Sequence, residues 1–181
     1  MEESEKLILT PRDIMVRFGL ICGGISILTV VILYALDAKL LFGYYAYIGF
    51  GAAFALAVFA SEYRKRNSEG YISYGDAVVT SLVSFSIGEV IYTLFMLLLY
   101  FVIDPHLVDK MKSVQMDKMD QLLSTGVINK VQYTAAQTSI ENINGNSILF
   151  YSLMGVIVII IISLLIFLLT SIFIKNEKSP V

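Results

Sequence analysis

The chain has 181 residues, of which 57% are hydrophobic and only 15% are charged. About a quarter of the residues of a soluble globular domain are charged, so this composition excludes that class and indicates an integral membrane protein. The formal net charge of -2 gives no sign of a nucleic-acid-binding surface.

The first apolar segment, about residues 14–36, follows a helix start signal. Thr10 before Pro11 combines an N-cap residue with proline at the first helical position, which predicts a helix from Pro11. Gly19 and Gly23 form a GxxxG pair, which allows another helix to approach closely. Packing within the chain is the favoured interpretation of this pair, and dimerisation is the alternative.

The second apolar segment, about residues 40–60, follows a turn of very few residues and is therefore predicted to return antiparallel to the first. Small residues that permit close helix packing recur in it at every fourth position: Gly49, Ala53, Ala57 and Ser61. The aromatic residues at its start are typical of a membrane-interface belt, with an aromatic-lined ligand pocket as the alternative: Phe42, Tyr44, Tyr45 and Tyr47.

A polar loop follows, and it contains the basic cluster Arg64, Lys65 and Arg66. Loops rich in lysine and arginine face the cytoplasm, so the cluster is interpreted as a topology signal. A binding site for anionic lipid or for a partner protein is the alternative. Ser73 and Asp76 then predict the cap of the next helix.

The third apolar segment, about residues 77–103, carries Glu89 near its midpoint. A charged carboxylate at the centre of a bilayer costs roughly 2.5 kcal/mol or more, so this residue needs an explanation. At helical periodicity it shares one stripe with other polar residues: Ser86, Thr93 and Tyr100. This polar stripe is predicted to face the interior of the bundle.

No lysine, arginine or histidine lies at the depth of Glu89 in any other apolar segment. The carboxyl group is therefore expected to be protonated and to donate a hydrogen bond to a hydroxyl group or a backbone carbonyl. A structural role of this kind and a functional role in a cavity both remain open.

The segment at residues 104–146, called the connector below, is amphipathic rather than spanning. Its apolar residues recur at helical spacing up to Gly126, and a second helix is predicted at about Asn129 to Glu141. The two helices are expected to form a hairpin over one mouth of the bundle. Their methionine-rich face is expected either to cover the bundle or to bind a partner.

The last apolar segment, about residues 148–174, is almost entirely Ile, Leu and Val in its second half, which predicts the most lipid-exposed helix. Lys175 and Lys178 follow it. With four spans, both termini and the basic cluster lie on one side, so both termini are predicted to be cytoplasmic.

Motifs for common catalytic or cofactor chemistry are missing from the sequence. It has no HExxH, G-x-S-x-G or CxxC motif, no phosphate-binding glycine loop and a single histidine, His106. We therefore predict a protein without catalytic residues, metal or cofactor, and not an enzyme.

The combined pattern resembles a known family. The residues that carry it are a capped first span, GYISYGDA at residues 70–77, IDP at residues 103–105, and a connector rich in Met and Lys before the last span. The chain resembles the four-span bacterial membrane proteins of domain-of-unknown-function family 4199. The resemblance implies a bacterial inner-membrane location and four membrane helices, but no activity.

The predicted fold is an all-α integral membrane protein with four transmembrane helices in an antiparallel bundle, together with an amphipathic helical hairpin between spans three and four. The first hypothesis for its function is a structural or accessory role, with the connector as the contact surface. The second is a small oligomeric transporter or proton-coupled carrier that uses Glu89. The expected partners are the lipid bilayer and either a second copy of the chain or another membrane protein.

Overall fold

All regular elements of the computed structural model, which describes residues 9–175, are helical. The six α-helices, in chain order, are α1 (Pro11–Leu36), α2 (Ala46–Asn67), α3 (Tyr74–Leu98), α4 (Leu107–Ser124), α5 (Lys130–Glu141) and α6 (Gly145–Ile174). A 3-10 turn at Ala38–Phe42 joins α1 to α2, and a π-helical turn at Leu99–Ile103 prolongs α3.

Four of these helices are long and apolar enough to cross a membrane: α1, α2, α3 with its π-helical extension, and α6. The predicted all-α class is confirmed for the described residues, and the number of helices with the length and apolar character of a membrane span is the predicted four. Helix α2 begins at Ala46, later than the predicted position 40, because the chain first makes the 3-10 turn. The Asp37 carboxylate stabilises that turn by accepting a hydrogen bond from the Lys39 amide at 2.9 Å.

The helix starts follow the local sequence signals. Thr10 and Asp13 form a reciprocal capping box at the start of α1. Ser73 accepts a hydrogen bond from the Asp76 amide at the start of α3, and Asn129 caps α5 in the same manner. Each cap satisfies an amide that has no partner inside its helix.

Small residues bring α1, α2 and α3 close together. A Cβ atom built on Gly23 of α1 would lie 2.9 Å from the Cβ atom of Ile91 in α3, and one built on Gly19 would lie 2.6 Å from the Cβ atom of Ile87. A Cβ atom on Gly88 would lie 2.7 Å from the Cβ atom of Cys22. The glycine pair of α1 therefore serves a contact within the chain.

The ladder of small residues on α2 is buried along its whole length. Gly49 lies against Thr29, and the carbonyl of Ala53 accepts a hydrogen bond from the Cys22 thiol at 3.3 Å. Ser61 donates a hydrogen bond to the carbonyl of Ala77 in α3 at 2.6 Å. The ladder thus contacts α1 at one end and α3 at the other.

Helix α6 packs chiefly on α3 and makes a smaller contact with α2. Only 17% of its most apolar stretch is buried, against 28–33% for the other three spans. The composition of α6 predicted this exposure. Lys175 ends the helix, and Lys178 lies outside the described residues.

The two connector helices lie against each other, and α4 also contacts the bundle. The Tyr133 hydroxyl of α5 donates a hydrogen bond to the Asp120 carboxylate of α4 at 2.7 Å, and this bond raises the pKa of Tyr133. The Lys118 ammonium of α4 donates to the carbonyl of Phe42 at 2.7 Å. Helix α4 therefore lies at the end of the bundle where α1 turns into α2.

Candidate functional site

Glu89 lies on the inner face of α3, where only 3% of its surface is exposed. Its side chain lines a partly open cavity of about 200 Å³ that also contacts α1, α2 and α6. The cavity extends from the middle of α3 toward the α1–α2 turn, since Leu41 and Tyr47 line its far part. We call this space the Glu89 cavity.

The polar residues of the lining come from three helices. Ser26 and Thr29 face the cavity from α1, Tyr47 from α2, and Tyr92 from α3 beside Glu89. The remaining lining is apolar or glycine: Val30, Leu33, Leu41, Ala46, Gly49, Phe50, Met96 and Ile159. The site is thus a small, mostly apolar space with one acid and four hydroxyl groups.

The Glu89 carboxyl group forms no hydrogen bond or ion pair with any residue between 9 and 175, although its side chain is almost fully buried. The expected hydrogen bond to a hydroxyl or carbonyl group is therefore not found there, because the side chain faces the cavity. Ser26, with 4% of its surface exposed, likewise has no hydrogen-bond partner in the described part of the chain. Polar groups buried this deeply normally have partners, so the cavity is the place where a partner would bind.

The titratable groups around Glu89 come from three helices. Tyr92 lies on the same helix and Tyr47 reaches the cavity from α2. Cys22 of α1 packs its Cβ atom against Gly88, while its thiol donates to the Ala53 carbonyl of α2. Helix α6 contributes only Ile159 to the lining. No basic side chain from residues 9–175 lines the cavity.

A cluster of four phenylalanines closes the cavity toward the α2–α3 loop. Phe85, one turn before Glu89, is fully buried. Its ring makes edge contacts with Phe50 at 5.4 Å and with Phe167 at 5.8 Å between centroids, and Phe54 stacks on Phe167 at 4.6 Å. These rings form an apolar barrier between the Glu89 carboxyl group and the α2–α3 loop.

At the opposite end, Leu107 at the start of α4 inserts into the core formed by the α1–α2 turn and the end of α3. Asp104 holds this helix start in place. Its carboxylate accepts hydrogen bonds from the Lys110 ammonium at 2.7 Å and from the Tyr34 hydroxyl at 3.0 Å. The bond to Lys110 holds the pKa of Asp104 below its ordinary value and raises that of Lys110.

The predicted polar stripe is divided in the structure. Glu89 faces the cavity, but Ser86, Thr93 and Tyr100 do not line it. Tyr100 is buried in the core beside Leu107, and its hydroxyl contacts the Met111 sulfur at 3.8 Å. The hydroxyl groups that accompany Glu89 come mainly from other helices, which a helical wheel of α3 alone does not reveal.

The basic cluster was predicted in a loop, but it lies in the last turn of α2, because the helix continues to Asn67. Two acidic residues of the same chain pair with it. Arg64 donates hydrogen bonds to the Asp76 carboxylate at 2.7 Å and to the Thr80 hydroxyl at 2.8 Å. Lys65 and Arg66 both lie within ion-pair distance of Glu62. These ion pairs reduce the positive charge that the cluster offers to an anionic lipid headgroup.

Among residues 9–175, no group of three or more His, Cys, Asp and Glu side chains is placed to hold a metal ion. A family profile described as "Protein of unknown function (DUF4199)" matches residues 17–176. Comparison with curated proteins and with solved structures gives no match.

Proposed function

We propose that this chain, which belongs to the DUF4199 family of proteins of unknown function, is a non-enzymatic membrane carrier that couples proton exchange at Glu89 to the movement of a small solute. One observation carries this proposal. Glu89 is an acid in the middle of a membrane span, is almost completely buried, has no partner in the described part of the chain and faces a cavity. Ionisable residues inside membranes are costly and are functional candidates for that reason.

The elements that flank the cavity along the bundle also support a carrier. The phenylalanine cluster blocks the way toward the α2–α3 loop, while α4 lies over the α1–α2 turn at the other end. A carrier requires a central site whose access to the two sides is controlled separately. The buried carboxyl group provides the proton-binding site, and the cavity provides space for the solute.

The proposal also includes the packing direction of α1 and α2, the membrane orientation and the oligomeric state. The contacts of Phe18 with Phe59 and of Thr29 with Gly49 support antiparallel packing of α1 and α2. The basic cluster supports a cytoplasmic position for the α2–α3 loop and both termini in a bacterial inner membrane. We propose a homo-oligomer in which each set of four helices contributes its own cavity of about 200 Å³.

Proton flux in reconstituted vesicles tests this function. Purified protein in liposomes with an internal pH-sensitive dye should support Glu89-dependent proton movement when a pH gradient is imposed with candidate solutes present. Glu89→Gln keeps the shape of the side chain but cannot exchange the proton, so flux should fall to that of empty liposomes. Glu141→Gln, the same change at an exposed site of α5, is the matched control. Equal flux in wild type and Glu89→Gln would refute the carrier.

A second function, interaction through the connector, is supported by a different observation. Helix α5 buries only Ile140, and Val131 on its outer face is 79% exposed. If this face binds a membrane-protein partner, Val131→Glu should remove a stoichiometric component from the complex purified in mild detergent. Gln121→Glu, at an exposed position of α4, should leave the complex unchanged. An identical composition for all three proteins would exclude this surface as the contact.

A further inference from the structure

We infer that the Glu89 cavity binds a small organic cation, an alkylammonium ion with a short apolar body. This inference rests on the proposed function and names the class of solute. It is argued from the charge, the hydrogen-bonding groups, the aromatic lining and the size of the cavity.

The acid in the cavity lining favours a cationic ligand. The cavity lining contains one acid and no base. Two cations near the ends of the bundle are engaged with acids outside the cavity, Arg64 with Asp76 and Lys110 with Asp104. An ionised carboxylate in a low-dielectric interior is strongly unfavourable without a partner charge, and a cationic solute would supply that charge.

The hydroxyl groups of α1 match the donors of an ammonium group. Thr29 donates its own proton to the carbonyl of Ile25 at 3.0 Å, so its oxygen lone pairs are left as acceptors. Ser26, almost fully buried, forms no hydrogen bond within the described part of the chain. An ammonium group has three donors and no acceptor. Glu89, Ser26 and Thr29 together offer acceptors for those three donors.

Three aromatic rings line the same small space: Phe50, Tyr47 and Tyr92. The faces of such rings attract cations and also provide apolar surface for a hydrocarbon body. The volume of about 200 Å³ corresponds to roughly six or seven water molecules at about 30 Å³ each. It is smaller than the pockets of about 300 Å³ or more that hold drug-sized ligands. A solute such as butylammonium fits this size.

Isothermal titration calorimetry on the full-length protein in lipid nanodiscs tests this class of ligand. The probes are butylammonium chloride and 1-butanol, which have the same number of non-hydrogen atoms but differ in charge. Butylammonium should bind saturably and roughly tenfold or more tightly than 1-butanol, the effect of one charge-assisted hydrogen bond. Equal affinities for the two probes would overturn the inference, and this comparison requires no variant.

Variants then locate the binding site. Glu89→Gln should weaken butylammonium binding at least about tenfold, for the same physical reason, and should leave 1-butanol binding unchanged. Glu141→Gln should bind both probes as the wild type does. Unchanged butylammonium binding in Glu89→Gln would refute the assignment to this cavity.

The outcomes for the ligand and for the carrier are separable. Glu89-dependent proton flux without butylammonium binding would reject the cationic ligand and leave the carrier intact. Glu89-dependent butylammonium binding without proton flux would support the ligand class and reject the carrier.

Discussion

The contact between α1 and α3 is open to a sharp test, because two neighbouring glycines of α1 have opposite surroundings. A Cβ atom on Gly23 would lie 2.9 Å from both Cβ and Cγ2 of Ile91. A Cβ atom on Gly24 would meet nothing within 4 Å. The substitutions Gly23→Ala and Gly24→Ala therefore add the same methyl group to the same helix, in one case into a packed contact and in the other into open space.

The expected change in the free energy of unfolding is the sum of a favourable and an unfavourable contribution. Alanine is favoured over glycine inside a helix by about 0.5–1 kcal/mol, and this gain is common to both variants. Forcing a methyl group into a packed interface costs about 1–3 kcal/mol and applies only to Gly23→Ala. The common term cancels when the two variants are compared. We therefore expect Gly23→Ala to be less stable than Gly24→Ala by about 1–3 kcal/mol.

Unfolding by sodium dodecyl sulfate in mixed micelles, followed by circular dichroism, measures this difference. Gly19→Ala provides an independent check, because a Cβ atom there would lie only 2.6 Å from the Ile87 Cβ atom. Gly19→Ala should therefore also be less stable than Gly24→Ala. If Gly23→Ala and Gly24→Ala agree within about 0.5 kcal/mol, the usual range for surface changes, the close contact of α1 with α3 is wrong.

Three further predictions concern the barrier, the connector and the basic cluster. Phe85→Ala should cost about 3–5 kcal/mol in the same unfolding assay, the usual loss for a buried phenylalanine, whereas the exposed Leu94→Ala should change little. Asp104→Asn should speed hydrogen–deuterium exchange of α4 at neutral pH, since it removes the acceptor of two side-chain hydrogen bonds. Folding lowers the pKa of Asp104. The stability that its carboxylate contributes is therefore present above its ordinary pKa of about 3.9 and is lost as the pH falls through the lowered pKa. Arg64→Gln should lower the unfolding midpoint more than Arg66→Gln, since the side chain of Arg64 is the less exposed of the two.

Each of these has a result that contradicts it. Equal losses for the phenylalanine and leucine variants would mean that Phe85 is not a core residue. Unchanged exchange of α4 in Asp104→Asn would show that the carboxylate does not hold that helix start. Equal unfolding midpoints for the two arginine variants would contradict a structural role for Arg64.

Local signals in the sequence predicted the helix starts and the class of the protein well. The caps at Thr10, Ser73 and Asn129 depend on residues three positions apart, so their chemistry is visible in the chain itself. Segment hydropathy likewise predicted the four spans. The largest displacement of a start, at Ala46, followed from a 3-10 turn that hydropathy does not distinguish from a helix.

The site itself was only half predictable. Glu89 stands out in any hydrophobic segment, but its neighbours Ser26 and Thr29 lie more than fifty residues away in the chain. The GxxxG pair Gly19 and Gly23 indicated a packing face on α1, but nothing local in the sequence indicated that the face meets isoleucines of α3. The polar stripe on α3 therefore identified Glu89 but not the other polar residues that line the cavity.

The uneven packing of α6 has a consequence for biogenesis. Since α6 rests chiefly on α3, the first three spans can assemble with one another while the ribosome is still translating the connector, an interval on the order of seconds. Nearly all of the lining of the Glu89 cavity is then present before Ile159 emerges. During that interval the acid depends on the insertion machinery or on lipid for the cover that α6 later provides.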